Sequence, residues 1–250
     1  PEPPARQPHD RAAELRSLVR EHAAAGNRRA LAALAAEAEA ALGEAALRPF
    51  AAQLGRAELE AGRAEQAYRW LSLALEDDPE ELTVARDLSR AAERTGRHAE
   101  EVRFGERCAD AIAPHDPLAA AARYRHFARV LAAQVGDPGA AAAMLEKALA
   151  LVPDDADGQR DLWDLWGRRR ETQARALEAW LEAARTDPSD ATALTRVAEL
   201  CERRAQDAAP GEAARLLERA RLAASLAAFA APGHAAPPLR LAAVVPDVVR

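Results

Sequence analysis

The sequence predicts an all-α protein, a solenoid of about six stacked antiparallel helix pairs with no β-sheet. Prolines close similar polar turns at near-regular intervals, and a run with the 3.6-residue period of an amphipathic helix precedes each of them. No stretch alternates β-branched residues as strands do. Hydrophobic residues make up 49% of the chain but aromatics only 4%, which favours thin, closely packed helical layers over one bulky core.

The repeat unit is measured from one of these prolines to the next. Pro79, Pro114, Pro153 and Pro188 lie 35, 39 and 35 residues apart, so the unit that ends at Pro153 carries extra residues. A short break, such as the one at Gly62, divides the run before each proline into two helices. The unit is therefore helix, tight turn, helix, turn.

The helices are expected in chain order wherever the apolar period persists between such breaks. They are predicted at residues 10–25, 27–42, 44–61, 64–77, 81–95, 98–112, 117–135, 139–151, 156–169, 172–186, 190–206 and 211–229. Each second helix ends at a proline, and Asp78, Asp154 and Asp190 in the turns are expected to cap the helices that follow.

The domain organisation follows from these elements. We expect a proline-rich linker over residues 1–9, an alanine-rich degenerate helix pair over 10–43, the repeat array over 44–229, and a linker or the start of a further segment over 230–250. Because the chain opens without an initiator methionine, we expect it to be a piece of a longer or processed protein.

The stretch LGRAELEAGRAEQAYRWLSLALEDDP, residues 54–79, resembles the tetratricopeptide repeat, whose period is about 34 residues. The matching positions are Leu54 and Gly55 at the Leu-Gly pair, Gly62 at the inter-helix turn, Ala67 and Ala74 at the small positions, and Pro79 at the end. Ala51 and Glu58 stand where the family has aromatic residues, and the resemblance covers residues 44–206. It implies a right-handed solenoid.

The resemblance also implies a binding surface. In tetratricopeptide proteins the first helix of each unit lines a concave groove that takes an extended peptide or a partner's helix. Transferred by position, the expected partner-binding residues are Gln53, Arg56, Arg86, Arg90, Arg125, His126, Arg129 and Arg160. The asparagine and lysine of the carboxylate-clamp members are absent from these positions, so binding of chaperone tails is not implied.

The arginines in this set predict a basic stripe. Guanidinium groups pair with carboxylates in bidentate fashion, so the complement is an acidic peptide. The alternative is an internal ladder of ion pairs, because Glu60, Asp87 and Glu93 are near enough in sequence to neutralise these arginines.

No arrangement in the sequence indicates catalysis, and we expect no catalytic residue, metal or cofactor. The metalloprotease, nucleophile-elbow and dinucleotide-binding motifs are absent, and the single lysine, Lys147, lies in a helical run without a glycine-rich loop. The six histidines are scattered without metal-ligand spacing. Trp163 and Trp166 form the one aromatic concentration, which either packs between helices or offers a platform for a peptide.

Charge, hydropathy and cysteine content indicate which partners and which compartment to expect. The net charge of −6 argues against a nucleic-acid binder, and the longest uncharged run, residues 222–239, is broken by prolines and is not expected to span a membrane. Cys108 and Cys201 lie at apolar-periodic positions and are expected to be buried thiols. The absence of a disulfide framework favours the cytoplasm.

Two functions remain open at this point. The first is a non-catalytic scaffold that binds a partner protein or peptide in the groove. The second is the regulatory or substrate-selecting region of a larger enzyme or signalling protein, with an active domain outside this chain. The sequence does not identify the partner or the oligomeric state.

Overall fold

A computed structural model describes residues 8–230, with side chains from residue 11 onwards. The chain divides into two compact units, which we call unit 1 (Pro1–Gly136) and unit 2 (Asp137–Arg250). Both are helical, and residues 8–230 contain no strand. The predicted all-α fold built of helix pairs is confirmed.

Unit 1 consists of short helices joined by tight turns. Its helices are α1 (Pro8–Ala24), α2 (Arg28–Leu42), α3 (Glu44–Leu47), α4 (Ala51–Glu60), α5 (Ala64–Asp77), α6 (Leu82–Arg94), α7 (His98–Ile112) and α8 (Pro117–Val130). A 3₁₀ turn at Arg48–Phe50 precedes α4, and a π-helical turn at Leu131–Val135 follows α8. Helix α1 packs on α2, α4 on α5 and α6 on α7, as the repeat predicts.

Unit 2 has the same organisation. Its helices are α9 (Pro138–Leu151), α10 (Ala156–Arg168), α11 (Gln173–Thr186), α12 (Ala191–Asp207) and α13 (Pro210–Ala230). Each packs on the next, and α13 is the longest of them. Within residues 8–230, none of the helices combines the length and the apolar character needed to cross a membrane.

The predicted helix bounds differ from the observed ones where backbone chemistry interrupts the period. The helix predicted at residues 44–61 divides at Pro49, which has no N–H to donate and lies in the 3₁₀ turn. The helix predicted at 117–135 changes to the wider π turn after Val130. Pro8 and His9, predicted to lie in a linker, belong to α1, while residues 1–7 and 231–250 of the predicted linkers are outside the described residues.

The turns that join α4 to α5 and α6 to α7 depend on glycine, as predicted. Gly62 and Gly96 have φ angles of 81° and 72°, a region that residues with a Cβ rarely adopt. The predicted caps are partly wrong. Asp190 caps α12 by accepting from the Ala193 N–H at 3.0 Å, but Asp155, not Asp154, caps α10.

Asp78 also differs from its predicted role. Its carboxylate accepts from the Glu80 N–H at 3.2 Å within the turn, and Glu81 occupies the N-cap position of α6 without a side-chain cap. Asp78 therefore orders the turn rather than the helix that follows.

The core of unit 1 is a series of apolar layers between helix pairs. Leu54 and Trp70 lie in one cluster, and Leu71 and Leu88 lie in the next. Gly55 lets α4 approach α5, because a Cβ on this residue would lie 2.5 Å from Leu71 Cγ. The small residue predicted at the crossing of the two helices therefore has a steric reason.

Both cysteines are free and buried, as predicted. Burial raises the pKa of the Cys108 thiol despite the opposing effect of nearby arginines, and burial also raises the pKa of Cys201. Because the thiolate is the reactive form, we expect neither residue to react with a small maleimide in native buffer within the time that labels the unfolded protein. Rapid labelling of either thiol in the folded protein, followed by mass spectrometry, would contradict this placement.

Candidate functional site

Two adjoining cavities of unit 1 lie along α6. The first cavity, of about 340 Å³, lies between α4 and α6. The second cavity, of about 490 Å³, lies among α6, α7 and α8. Arg86 and Arg90 line both cavities, so these two side chains form the boundary between them.

Two arginines of the first cavity, Arg28 and Arg56, are held by internal ion pairs. Arg56 donates from Nε to Asp87 Oδ2 at 2.8 Å and from Nη2 to Thr83 Oγ1 at 2.7 Å. Arg28 pairs with Glu60 across the same cavity. The ion-pair ladder considered from the sequence is therefore formed here, and it neutralises Arg56.

Arg94 of the first cavity has a structural role that recurs in unit 2. It donates from Nη1 to the carbonyl oxygen of Leu59 at 2.8 Å, which joins the C-terminal ends of α4 and α6. Arg203 donates to the carbonyl oxygen of Gly167 at 3.2 Å and joins α10 to α12 in the same way. These arginines satisfy carbonyls at helix ends, where intrahelical donors are missing.

The second cavity has a different electrostatic character. Three arginines line it, from two helices, and no carboxylate does; its lining residues are Arg86, Ser89, Arg90, Gly105, Cys108, Arg123 and Phe127. The hydroxyl of Ser89 donates to the carbonyl oxygen of Glu101 at 2.8 Å and is therefore already used. The remaining wall is apolar, so the guanidinium groups supply the polar chemistry of this cavity.

The charges of these three arginines are poorly compensated. Arg86 approaches Asp87 Oδ1 only to 3.7 Å, and that carboxylate already accepts from Arg56. Arg90 and Arg123 are exposed and form no ion pair with any residue that the structure describes. The second cavity is thus a local concentration of positive charge in a chain whose net charge is −6.

The structure brings together only part of the predicted partner-binding set. Arg56, Arg86 and Arg90 line the two cavities. Gln53 is half-buried on α4 and lines neither, and Arg160 lies in unit 2, where it donates to Asp190 at 2.8 Å.

The predicted residues of α8 point elsewhere. Successive residues of an α-helix are rotated by about 100°, so Arg125 and Arg129, each two positions from Phe127, lie on the side of α8 away from it. His126 is directed to α7, where its Nε2 lies 3.1 Å from Glu101 Oε1. None of the three lines the second cavity.

Sequence reasoning missed Arg123. It lies four residues before Phe127, hence on the same face of α8, and Phe127 is buried against Gly105 of α7. Glycine at position 105 was the available signal, because a missing side chain on α7 makes room for a ring from the neighbouring helix. That ring then fixes which face of α8 is turned toward the second cavity.

Glu101 is a buried carboxylate between two histidines. His98 Nδ1 lies 3.0 Å from Glu101 Oε2, and His126 contacts the other oxygen. The contact with His126 joins α7 to α8 beside the second cavity. Among the described residues, no three histidine, cysteine or acidic side chains are grouped closely enough to hold a metal ion.

In unit 2 the corresponding face is largely self-paired. Arg196 donates to Asp164 and to Glu199, each at 2.9 Å, and burial raises the pKa of Asp164 although Arg196 opposes the shift. Trp163 meets the buried Trp180 edge-on, with ring centroids 5.1 Å apart. The cavity beside them measures only about 150 Å³.

Trp166, the other tryptophan singled out from the sequence, is also packed within unit 2. Trp166 is buried, and the guanidinium of Arg175 lies 3.7 Å from its ring centroid. The two tryptophans singled out from the sequence therefore pack within unit 2, although Trp163 remains partly exposed beside the small cavity.

One ion pair recurs between consecutive first helices with its charges exchanged. Arg56 on α4 pairs with Asp87 on α6, and Asp164 on α10 pairs with Arg196 on α12. Leu54, Leu88, Leu162 and Val197 stand at one equivalent position of these four helices, and the two ion pairs occupy the same places relative to them. The repeat thus preserves the pair but not its polarity.

The structure contains the features of the tetratricopeptide pattern. The helices pack in antiparallel pairs, glycine forms the turn in the α4–α5 and α6–α7 pairs, and a small residue, Gly55, lies where α4 crosses α5. The chain has a tetratricopeptide-like fold. No protein-family model matches the chain, and no curated protein matches it in sequence.

Similar solved structures include repeat proteins. Two crystal structures of MamA match with 18% and 16% identity and TM-scores of 0.39 and 0.44, covering 70% and 73% of this chain and 96% and 91% of theirs. A putative kinesin light chain from Podosopora anserina with TPR-like repeats matches at 19% identity and a TM-score of 0.40, covering 71% of this chain and 94% of its own. At these scores, the fold assignment rests on the helix pairs themselves.

Proposed function

We propose that this chain is a protein-interaction module that holds an acidic segment of a partner protein against α6 and α8 of unit 1. The observation that carries the proposal is the second cavity, which three arginines line without a carboxylate. Since a guanidinium forms its strongest hydrogen bonds with anionic oxygens, the ligand that completes this site bears acidic groups.

The contrast with the paired surfaces supports this location. In the first cavity Arg56 has Asp87, and in unit 2 Arg196 has both Asp164 and Glu199. Arginines satisfied in this way gain little from a ligand, because the ligand must displace a carboxylate already in place. A ligand that binds Arg90 and Arg123 displaces no internal carboxylate. The binding energy is therefore concentrated at the second cavity, between α6 and α8.

The interaction surface is formed by regular helices. Gly105 and Phe127 interlock α7 with α8, and Ser89 bonds to the backbone of α7, so the helices that present the arginines are fixed to one another. A preformed site limits the conformational entropy lost on binding. Most of the conformational entropy lost on binding is therefore lost by the partner, as expected for an extended acidic segment that becomes ordered on the site.

Selection from a displayed library of random twelve-residue peptides tests the proposal with the full chain. We expect the wild-type chain to enrich peptides containing aspartate or glutamate. Arg90→Glu combined with Arg123→Glu should weaken the enriched peptides by about tenfold or more, because two charge reversals turn attraction into repulsion. Affinity should also fall as the salt concentration rises.

The matched control is Arg16→Glu combined with Arg20→Glu. Both residues are exposed on α1 of unit 1 and lie outside the two cavities, and the pair changes the net charge by the same amount. This variant should bind the selected peptides with nearly unchanged affinity. No enrichment of acidic peptides, or equal losses in the two double variants, would overturn the proposal.

A single substitution separates the two faces of α8. Arg123→Glu should weaken the selected peptides several-fold, whereas Arg129→Glu on the far side should have the smaller effect, because it is further from the bound carboxylates. Fluorescence anisotropy measures both affinities. A larger loss of affinity in Arg129→Glu than in Arg123→Glu would show that the peptide binds the face of α8 predicted from the sequence.

A further inference from the structure

We infer that the second cavity receives a phosphoryl group, carried by a phosphorylated side chain of the partner. This inference rests on the proposed function and names the acidic group that the site prefers. It is drawn from the number and placement of the arginines and from the apolar wall behind them.

The arginines converge from two helices on one cavity. Arg86 and Arg90 are one turn apart on α6, which places their Cβ atoms about 5–6 Å from each other, and Arg123 enters from α8. A group between them can therefore face all three guanidinium groups at once. A ligand that used only one arginine would leave the other two without an anion.

The charge and the oxygen count favour a phosphoryl group over a carboxylate. A carboxylate has one charge and two oxygens, which pair with one guanidinium fork in a bidentate arrangement. A phosphoryl monoester carries about −1.5 to −2 charges at pH 7 and three acceptor oxygens. The three guanidinium groups around the cavity match the three phosphoryl oxygens. The second negative charge of the phosphoryl group offsets positive charge that the protein itself leaves poorly compensated.

The rest of the cavity suits the part of the side chain that carries the phosphoryl group. Gly105, Cys108 and Phe127 form its apolar wall, and Ser89 has its hydroxyl committed to a backbone carbonyl. No carboxylate stands in the lining to repel a dianion. The first cavity, lined by Glu60 and Asp87, lacks this property.

Three matched peptides test the inference with the full chain. A twelve-residue peptide selected by the library is synthesised with serine, glutamate or phosphoserine at the acidic position that contributes most to binding. We expect the phosphoserine peptide to bind about tenfold or more tightly than the glutamate peptide, and the serine peptide to bind weakest. Fluorescence anisotropy measures all three.

Substitution of one arginine by lysine adds a second readout. Arg123→Lys keeps the charge but removes the bidentate fork, so it should weaken the phosphoserine peptide more than the glutamate peptide. Arg16→Lys on α1 is the matched control and should affect neither. Inorganic phosphate should displace the phosphopeptide only at concentrations far above the peptide's dissociation constant, because the free ion lacks the flanking contacts.

The outcomes separate this inference from the proposed function. Glutamate and phosphoserine peptides of equal affinity would overturn the phosphoryl inference and leave the acidic-peptide proposal standing. Displacement by inorganic phosphate at the peptide's own dissociation constant would likewise overturn it, since the site would then hold the free ion. Failure of both acidic peptides to bind would overturn the proposed function itself.

Discussion

Replacing Gly55 with leucine is expected to lower the free energy of unfolding by about 1–3 kcal/mol. A Cβ at this position would lie 2.5 Å from Leu71 Cγ and 3.1 Å from the Leu71 backbone nitrogen, so α4 and α5 must separate to admit a side chain. Leucine is the better helix former by about 1 kcal/mol, and this gain offsets only part of the loss. Urea denaturation followed by circular dichroism measures the difference.

Gly211 provides the matched control for this substitution. It lies in α13, and a Cβ there would meet no atom within 4 Å. Gly211→Leu should therefore leave the free energy of unfolding nearly unchanged or raise it. If Gly55→Leu and Gly211→Leu melt alike, the close crossing of α4 and α5 is not what makes glycine necessary at position 55.

Asp87→Asn is expected to act in opposite directions on stability and on binding. The Asp87 side chain is only 8% exposed and accepts from Arg56 at 2.8 Å, so removing its charge should cost about 1–3 kcal/mol of unfolding free energy. The same change releases Arg56 and Arg86 and makes the two cavities more positive. We therefore expect tighter binding of acidic peptides by a less stable protein.

The control is Asp77→Asn, which removes the charge of an exposed ion pair. Asp77 pairs with Arg48 at 2.9 Å, but both side chains are largely solvated, and such exposed pairs contribute little to stability. The stability and peptide affinity of Asp77→Asn should stay close to those of the wild type. Peptide affinity that falls in Asp87→Asn would show that the Arg56–Asp87 pair organises the binding surface instead of restraining it.

Most of the fold could be predicted because the repeat encodes it locally. Helix α5 was predicted at residues 64–77 and is observed over Ala64–Asp77, since a glycine turn bounds its start and an aspartate-proline turn follows its end. The predictions were wrong where a single backbone feature overrides the period. Pro49 divides one predicted helix, and the π turn at Leu131–Val135 ends another.

The candidate site was harder to predict because it depends on the rotation of one helix about its axis. The sequence placed the groove on the first helices and included Arg86 and Arg90, which line both cavities. On α8, the transferred positions led to Arg125 and Arg129, whereas packing of Phe127 against Gly105 directs Arg123 into the cavity. Contacts between helices set that rotation, and a single-sequence period does not report them.

The sequence also could not predict which arginines form ion pairs. Asp87 and Glu93 both lie near the arginines in sequence, but only Asp87 is seen in an ion pair with them. The ladder and the free basic surface, which were alternatives at the level of sequence, lie side by side in unit 1. Side-chain geometry decides which arginine belongs to each.

Photo-crosslinking with a library-selected acidic peptide tests the central claim most directly. The peptide carries benzoylphenylalanine beside its acidic residue, and mass spectrometry of the irradiated full chain locates the attachment. We expect attachment to α6 and α8, near Arg90 and Arg123, and its loss when excess unlabelled peptide competes. Specific attachment to unit 2, or to the exposed face of α1 that carries Arg16 and Arg20, would contradict the account.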